Sequence, residues 1–292
     1  TLAPGRVGGP IPGSAIGRLK NLQNLGLSHN LMTGTIPTTL GGLKRLQMLD
    51  LSFNRLSGAV PGELSGLPAL LTLRLAHNRL TGSLPASFRG AARLDHVDAK
   101  RNSLEGPLPE FPGSLTYLDL SRNRLSGPLA RSVSGLNQLT YLDLGDNQLS
   151  GRVPPGLFSA PLSALVLRHN ALSGPVSPPG PVSIPTVDMA FNALSGEISP
   201  FFAAARNLYL NHNRFSGGVP REVVERLEAG AMRTLFVQQN FLTGFPLGPA
   251  ATLPVSASVC IQYNCMAPPI ESACPRSGGM RAIRPSSQCR NT

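Results

Sequence analysis

Tryptophan is absent from the 292 residues, tyrosine occurs four times, and aromatic residues together make up 5% of the chain. A nucleic-acid reader that stacks bases on aromatic side chains is therefore excluded, although the formal net charge is +11. No apolar run approaches the roughly 20 residues that a membrane helix needs, so no membrane segment is read in the chain. There is no Asn-x-Ser/Thr sequon followed by further chain, and glycosylation gives no clue to compartment. No cysteine stands before Cys260; the four present are Cys260, Cys265, Cys274 and Cys289. Nucleophile elbow, phosphate loop and metal-ligand helix motifs are missing as well, and residues such as Ser28, His29 and Asp50 merely recur at fixed steps. No enzyme, no cofactor and no metal site is expected.

What is present is a ladder. Ten asparagines, Asn30, Asn54, Asn78, Asn102, Asn123, Asn147, Asn170, Asn192, Asn213 and Asn240, are each followed four residues later by a glycine, from Gly34 to Gly244. Successive asparagines lie 21 to 27 residues apart, within or close to a period at which solenoid coils repeat. Five and three residues before each asparagine stands an apolar pair, running from Leu25 and Leu27 to Leu235 and Val237. That alternation predicts a short strand with one face in the core. The buried carboxamide is suited to satisfy turn N–H and C=O groups that the strand ladder does not reach. The glycine permits a backbone conformation closed to residues with a Cβ. An apolar-proline step usually follows, as in Ile36-Pro37, Val60-Pro61 and Leu84-Pro85. Because no single coil can bury its own apolar face, stability must come from stacking.

Residues 46–70 (LQMLDLSFNRLSGAVPGELSGLPAL) and 139–154 (LTYLDLGDNQLSGRVP) carry a specific resemblance. They look like the plant-type extracellular leucine-rich repeat of polygalacturonase-inhibiting proteins, receptor-like proteins and receptor-kinase ectodomains, and the likeness covers roughly residues 7–247. The fold it implies is an α/β repeat, a leucine-rich-repeat solenoid with a concave parallel β-sheet and a disulfide-stapled C-terminal cap. Residues 1–257 are read as the solenoid, a partial first coil plus ten repeats, and residues 258–292 as the cap. Gly9-Pro10-Ile11-Pro12 reads as the back half of an earlier coil, so a cap upstream of these residues is expected. Leu129-Ala130, Val176-Ser177 and Ile198-Ser199 depart from the apolar-proline step, and Val97 and Ala99 replace the leucine pair, which predicts looser packing in those coils. Residues 221–228 read as a short helix on the convex side, and 175–181 as an extended proline-stiffened loop.

The cysteines cluster where the repeat stops and read as two disulfides stapling a cap too small to hold a core of its own. Three connectivities are open. The C-x4-C-x8-C-x14-C spacing lacks the close ligand pairs of zinc ribbons. Disulfides need an oxidising compartment, so the protein is expected to be secreted, in the apoplast or cell wall.

Function is sought on the outward strand positions, four, two and one residues before each asparagine. Their mixed charge and scattered aromatics suit a protein or peptide partner. Arg74, Lys100, Arg101 and Arg122 on three successive coils are read as one basic patch, with Tyr117 and Tyr141 beside it and Phe53 and Phe191 in the column just before the asparagine. A solvated surface is the bland reading of any one of these. The five histidines, His29, His77, His96, His169 and His212, fall on outward positions, and their protonation would raise the charge from +11 toward +16. Two functions follow. One is a secreted recognition module for an extracellular protein or peptide, in plant defence or extracellular signalling. The other is a structural wall protein holding acidic polysaccharide such as pectin by diffuse charge, to which the basic tail Arg276, Arg281, Arg284 and Arg290 adds; the column Arg55, Arg79, Arg124 and Arg214 reads either as a stripe for acidic polymers or, preferably, as a solvated edge.

Overall fold

A computed structural model describes residues 5, 7–248, 251–269, 274 and 283–289. Two compact units, Thr1–Ser150 and Gly151–Thr292, are built on one plan. In the first, six three-residue strands, Asn24–Gly26, Met48–Asp50, Thr72–Arg74, His96–Asp98, Tyr117–Asp119 and Tyr141–Asp143, pair in parallel and in strict register, Leu49 beside Leu73 and Leu118 beside Leu142. In the second, Ala164–Val166, Thr186–Asp188, Asn207–Tyr209, Thr234–Phe236 and Ser258–Cys260 do the same. The apolar pair of each coil faces inward: Leu49, Leu51, Leu208 and Leu210 are all fully buried.

The asparagine holds each coil to its predecessor. Asn78 Nδ2 donates to Leu75 O at 3.1 Å within its own coil and to Leu51 O at 2.9 Å in the coil before, while its Oδ1 accepts from Leu56 N at 3.0 Å. Asn54, Asn102, Asn123 and Asn147 repeat this pattern in the first unit, and Asn192, Asn213 and Asn240 in the second. Carbonyls and amides stranded by the end of the three-residue strand are thereby satisfied in a dry interior.

A second feature of this turn is invisible in residue type. The residue just before every asparagine lies in the left-handed region, with φ between 52° and 59°, although none is glycine: His29, Phe53, His77, Arg101, Arg122, Asp146, His169, Phe191, His212, Gln239 and Tyr263. The next coil fixes it there, since the N–H of Phe53 donates to Ala76 O and that of His77 to Lys100 O. Nine of the ten conserved-step glycines also have positive φ, between 70° and 83°; Gly244 does not. At Gly58 a Cβ would additionally stand 2.9 Å from Thr35 Cγ2.

Past the turn the chain forms a second parallel sheet that the hydrophobic period does not announce. Arg79–Gly82, Ser103–Pro107 and Arg124–Pro128 pair in the first unit, and Ala171–Pro175, Ala193–Glu197 and Arg214–Ser216 in the second. Pro37, Pro61 and Pro85 then introduce the 3-10 turns Thr38–Gly42, Gly62–Gly66 and Ala86–Gly90. Where the proline is replaced, Leu129 leads into a short helix, Ala130–Val133, and Ser199 caps Pro200–Ala204 by accepting from Phe201 N. The residues that stand in for the expected pattern are nonetheless kept from water: Leu129, Val176, Ile198, Val97 and Ala99 are all at most 3% exposed. The expected helix is Arg221–Glu228, burying Val223, Val224 and Leu227.

The cysteines pair Cys260–Cys274 and Cys265–Cys289, selecting one of the three connectivities. The segment read as cap opens as one more coil. Val259 and Ile261 enter the core, and Asn264, an eleventh ladder asparagine that the sequence reading passed over, donates to Ile261 O and Val237 O. Arg284 closes this end: its guanidinium lies over Phe241 at 4.1 Å and Tyr263 at 4.6 Å, and Nε donates to Asn240 O. Arg276, Arg281 and Arg290 of the basic tail lie outside the described residues.

Candidate functional site

Outward residues of neighbouring coils stand beside one another because the strands are in register, so each sequence column becomes a row of side chains. Six residues before the asparagine, the first unit carries His96, Tyr117 and Tyr141, whose rings stack at 4.1 and 4.7 Å. One residue before it, His29, Phe53 and His77 stack at 4.2 Å per step, and in the second unit His169, Phe191 and His212 repeat the arrangement at 4.1 and 3.9 Å. Within each of these triplets a phenyl ring stands between the two histidines. That spacing prevents two imidazoles from sharing a metal, and no cluster of three or more potential ligands occurs among the described residues.

Between these rows the floor is made of short residues. Ser52, Ala76 and Ser121, two before the asparagine, are at most 7% exposed although they point outward, because the flanking side chains rise above them. The repeated aspartate four before the asparagine is a structural device. Its carboxylate accepts the N–H two residues on: Asp50 from Ser52 at 3.0 Å, Asp119 from Ser121 at 3.1 Å, Asp143 from Gly145 at 2.8 Å and Asp188 from Ala190 at 3.1 Å. The aspartate side chain thus satisfies a main-chain donor at the end of each of these strands.

Lys100 breaks the row of short residues. Its Nζ lies 2.9 Å from Asp119 Oδ2 and 3.5 Å from Asp98 Oδ2, and the Asp119 side chain is 3% exposed. Burial pulls the lysine's pKa down, but the Asp119 hydrogen bond and the charges of Asp119 and Asp98 outweigh it and hold the ammonium well above the ordinary lysine range. Burial raises Asp98 despite Lys100. Tyr117 is raised by burial and Asp119, and Tyr141 is pushed up to about 12 by burial and Asp143. His96 is lowered by burial and Arg74, and His77 by burial and Arg101.

The expected patch is thus divided. Lys100 is neutralised where it stands, and Arg122 lies 3.5 Å from Asp146. Arg74 and Arg101 are exposed and enter no ion pair among the described residues. Tyr117, Tyr141 and Phe53 share the first unit with these cations, whereas Phe191 belongs to the second. His96 was missed as a site residue, although its step of six before Asn102, shared with Tyr117 and Tyr141, could have placed it.

Family models described as leucine-rich repeat match residues 10–56, 69–91 and 111–149. No curated protein matches. Among solved structures, a TDR receptor is 26% identical with a TM-score of 0.70, covering 89% of this chain and 50% of that one. The Arabidopsis receptor kinase HAESA ectodomain, in complex with an N-terminally extended IDA peptide hormone, is 27% identical with a TM-score of 0.64, covering 89% and 56%. A plant ice-binding protein is 28% identical with a TM-score of 0.68, covering 83% and 81%. The chain therefore spans about half the length of the receptor chains it resembles. No helix among the described residues is long and apolar enough to cross a membrane.

Proposed function

We propose that this leucine-rich-repeat protein of the plant extracellular type is a secreted, non-catalytic recognition module that binds an extended peptide, or a peptide-like segment of a partner protein, across the strand face of its first unit. The observation that carries this reading is the stacked His96–Tyr117–Tyr141 row standing beside the short, buried Ser121 and Gly145, with exposed Arg74 and Arg101 at its margins. Tyrosine and arginine supply much of the energy of protein interfaces, and short residues let a main chain approach closely. A segment laid across successive coils meets a new row at each strand spacing, about 4.8 Å. The likeness to receptor ectodomains, one of them in complex with a peptide, supports the same class. The two disulfides suit an extracellular setting, apoplast or cell wall, and a role in defence or signalling.

The test is selection of peptides from a displayed library on the wild-type protein, followed by rebinding to Tyr117→Ala, Tyr141→Ala and Arg101→Glu. Losses of about tenfold or more are expected for each. Selected peptides that bind all three variants as tightly as wild type would place the contact elsewhere. The second reading, acidic wall polysaccharide held by diffuse charge, rests on the net charge of +11 and the exposed column Arg55, Arg79 and Arg124. Binding to pectin would then fade steeply with salt and change little on any single charge reversal.

A further inference from the structure

The coil between Asn102 and Asn123 is 21 residues long where the one before it has 24, and the residues it lacks are those of the back turn. Its neighbours carry Ala86–Gly90 and Ala130–Val133 at this place, whereas residues 110–114, Glu-Phe-Pro-Gly-Ser, form no helix. The result is a notch of about 600 Å³ on the side of the first unit away from its strand face. Phe111 and Pro112 are buried in its floor, and Arg89 and Arg131 stand on its two walls.

The charged residues lining this notch are two arginines, Arg89 and Arg131, against one carboxylate, Glu110. Arg131 is exposed and enters no ion pair among the described residues. Arg89 pairs with Glu110 at 2.7 Å, but both side chains are substantially exposed, at 75% and 41%, and such a pair is weakly held. The main-chain N–H groups of Phe111, Gly113 and Ser114 find no acceptor among the described residues; the turn here is closed by Leu115 N donating to Pro112 O and uses none of them. Guanidinium groups and free amides together are the donors that recognise a carboxylate. A volume in the usual range for ligand sites leaves room for more than a single side chain.

We propose that this notch is a second binding site of the chain, for a carboxylate group presented by an acidic peptide segment of a partner protein. It is independent of the strand face, so both surfaces can be occupied at once. The test measures fluorescence anisotropy of a short labelled peptide of alternating aspartate and glutamate on the full chain. Arg131→Glu and Gly135→Trp are the test variants; Gly135 lines the notch and a Cβ there meets no atom within 4 Å, so the bulk of an indole is accepted at its edge. Arg45→Glu, on an exposed site outside the notch, controls for net charge, and Arg101→Glu controls for the strand face. Affinity is expected to fall about tenfold or more in both notch variants and to stay within about twofold in Arg45→Glu, while Arg101→Glu reports separately on any peptide held at the strand face. Equal weakening by Arg45→Glu would reduce the effect to general charge attraction. No binding to wild type, or stronger competition by an oligogalacturonide than by unlabelled peptide, would overturn the assignment. Loss in Arg101→Glu alone would leave the strand-face reading standing and end this one.

Discussion

Lys100 of one coil reaches across to Asp119 of the next, Nζ to Oδ2 at 2.9 Å, on a strand face where every other residue of the lysine's row in the first unit is short. The carboxylate beneath it is almost wholly buried, so the lysine is both its counter-ion and its cover. Lys100→Met would keep the cover and remove the charge. Breaking a buried pair from one side costs about 3–5 kcal/mol, and because Lys100 is itself 31% exposed the expected loss is smaller, about 1–3 kcal/mol by urea unfolding at pH 7. Asp119→Asn in the Lys100→Met background should recover part of it, a coupling that a double-mutant cycle reads directly. The folded lysine binds its proton more tightly than the unfolded one. This stabilisation is therefore complete below the ordinary lysine pKa of about 10.4 and is lost as pH rises through the higher folded value.

The ladder gives a second expectation. Asn78 donates to Leu51 O, Leu75 O and Ala76 O and accepts from Leu56 N. Asn78→Asp has the same shape and keeps the acceptor but turns the donor into an anion facing carbonyls. It should destabilise at least as much as Asn78→Ala, by about 3 kcal/mol or more, since each stranded buried group costs about 1–3 kcal/mol. Chemical denaturation of the two variants side by side checks the order. An aspartate that behaved like wild type would show that the donor side of the carboxamide contributes nothing.

Much of this architecture could be read from the chain, and the reasons for the remainder are physical. Leu49, Leu51 and Asn54 were legible because a period and a residue type both marked them. The left-handed φ of the residue before the asparagine was not, because His, Phe, Arg, Asp, Gln and Tyr share no chemistry and the neighbouring coil imposes the angle. The second sheet escaped for a related reason: its outward serines and threonines carry no hydrophobic alternation. Sequence alone places Lys100 with Arg74, Arg101 and Arg122, because residue type shows the sign of a charge and not its partner. Asp119, one column over on the next coil, sets its state. Asn264 has the apolar pair Val259 and Ile261 at the right steps, but Pro268 stands where the other ten coils carry their glycine.

The strained position makes its own prediction. Arg101 has φ of 52°, which a β-branched side chain tolerates poorly. Arg101→Val should cost about 1–2 kcal/mol while Arg101→Asn stays near neutral, because asparagine visits the left-handed region readily. Thermal unfolding of both variants distinguishes this from a simple loss of charge, which would affect them equally.

Acidification tests the histidines. Burial lowers His77, His96 and His212, aided respectively by Arg101, by Arg74 and by His169. A lowered folded pKa means that the unfolded chain takes up these protons first. Stability contributed by the three neutral rings is thus present above the ordinary histidine pKa of about 6.5 and falls as pH drops below it. The same shifts restrain the rise of net charge from +11 toward +16, since three of the five histidines resist protonation in the folded state. Melting temperature should decline from pH 7 to pH 5. NMR titration of the imidazole Cε1 protons should give three midpoints below the free value, and midpoints at or above it would remove both the stability effect and its cause. A Phe53→Leu variant separates stacking from solvation: it takes away the ring between His29 and His77 while leaving an apolar side chain, so any shift it produces in the His77 midpoint measures what the stacked phenyl contributes.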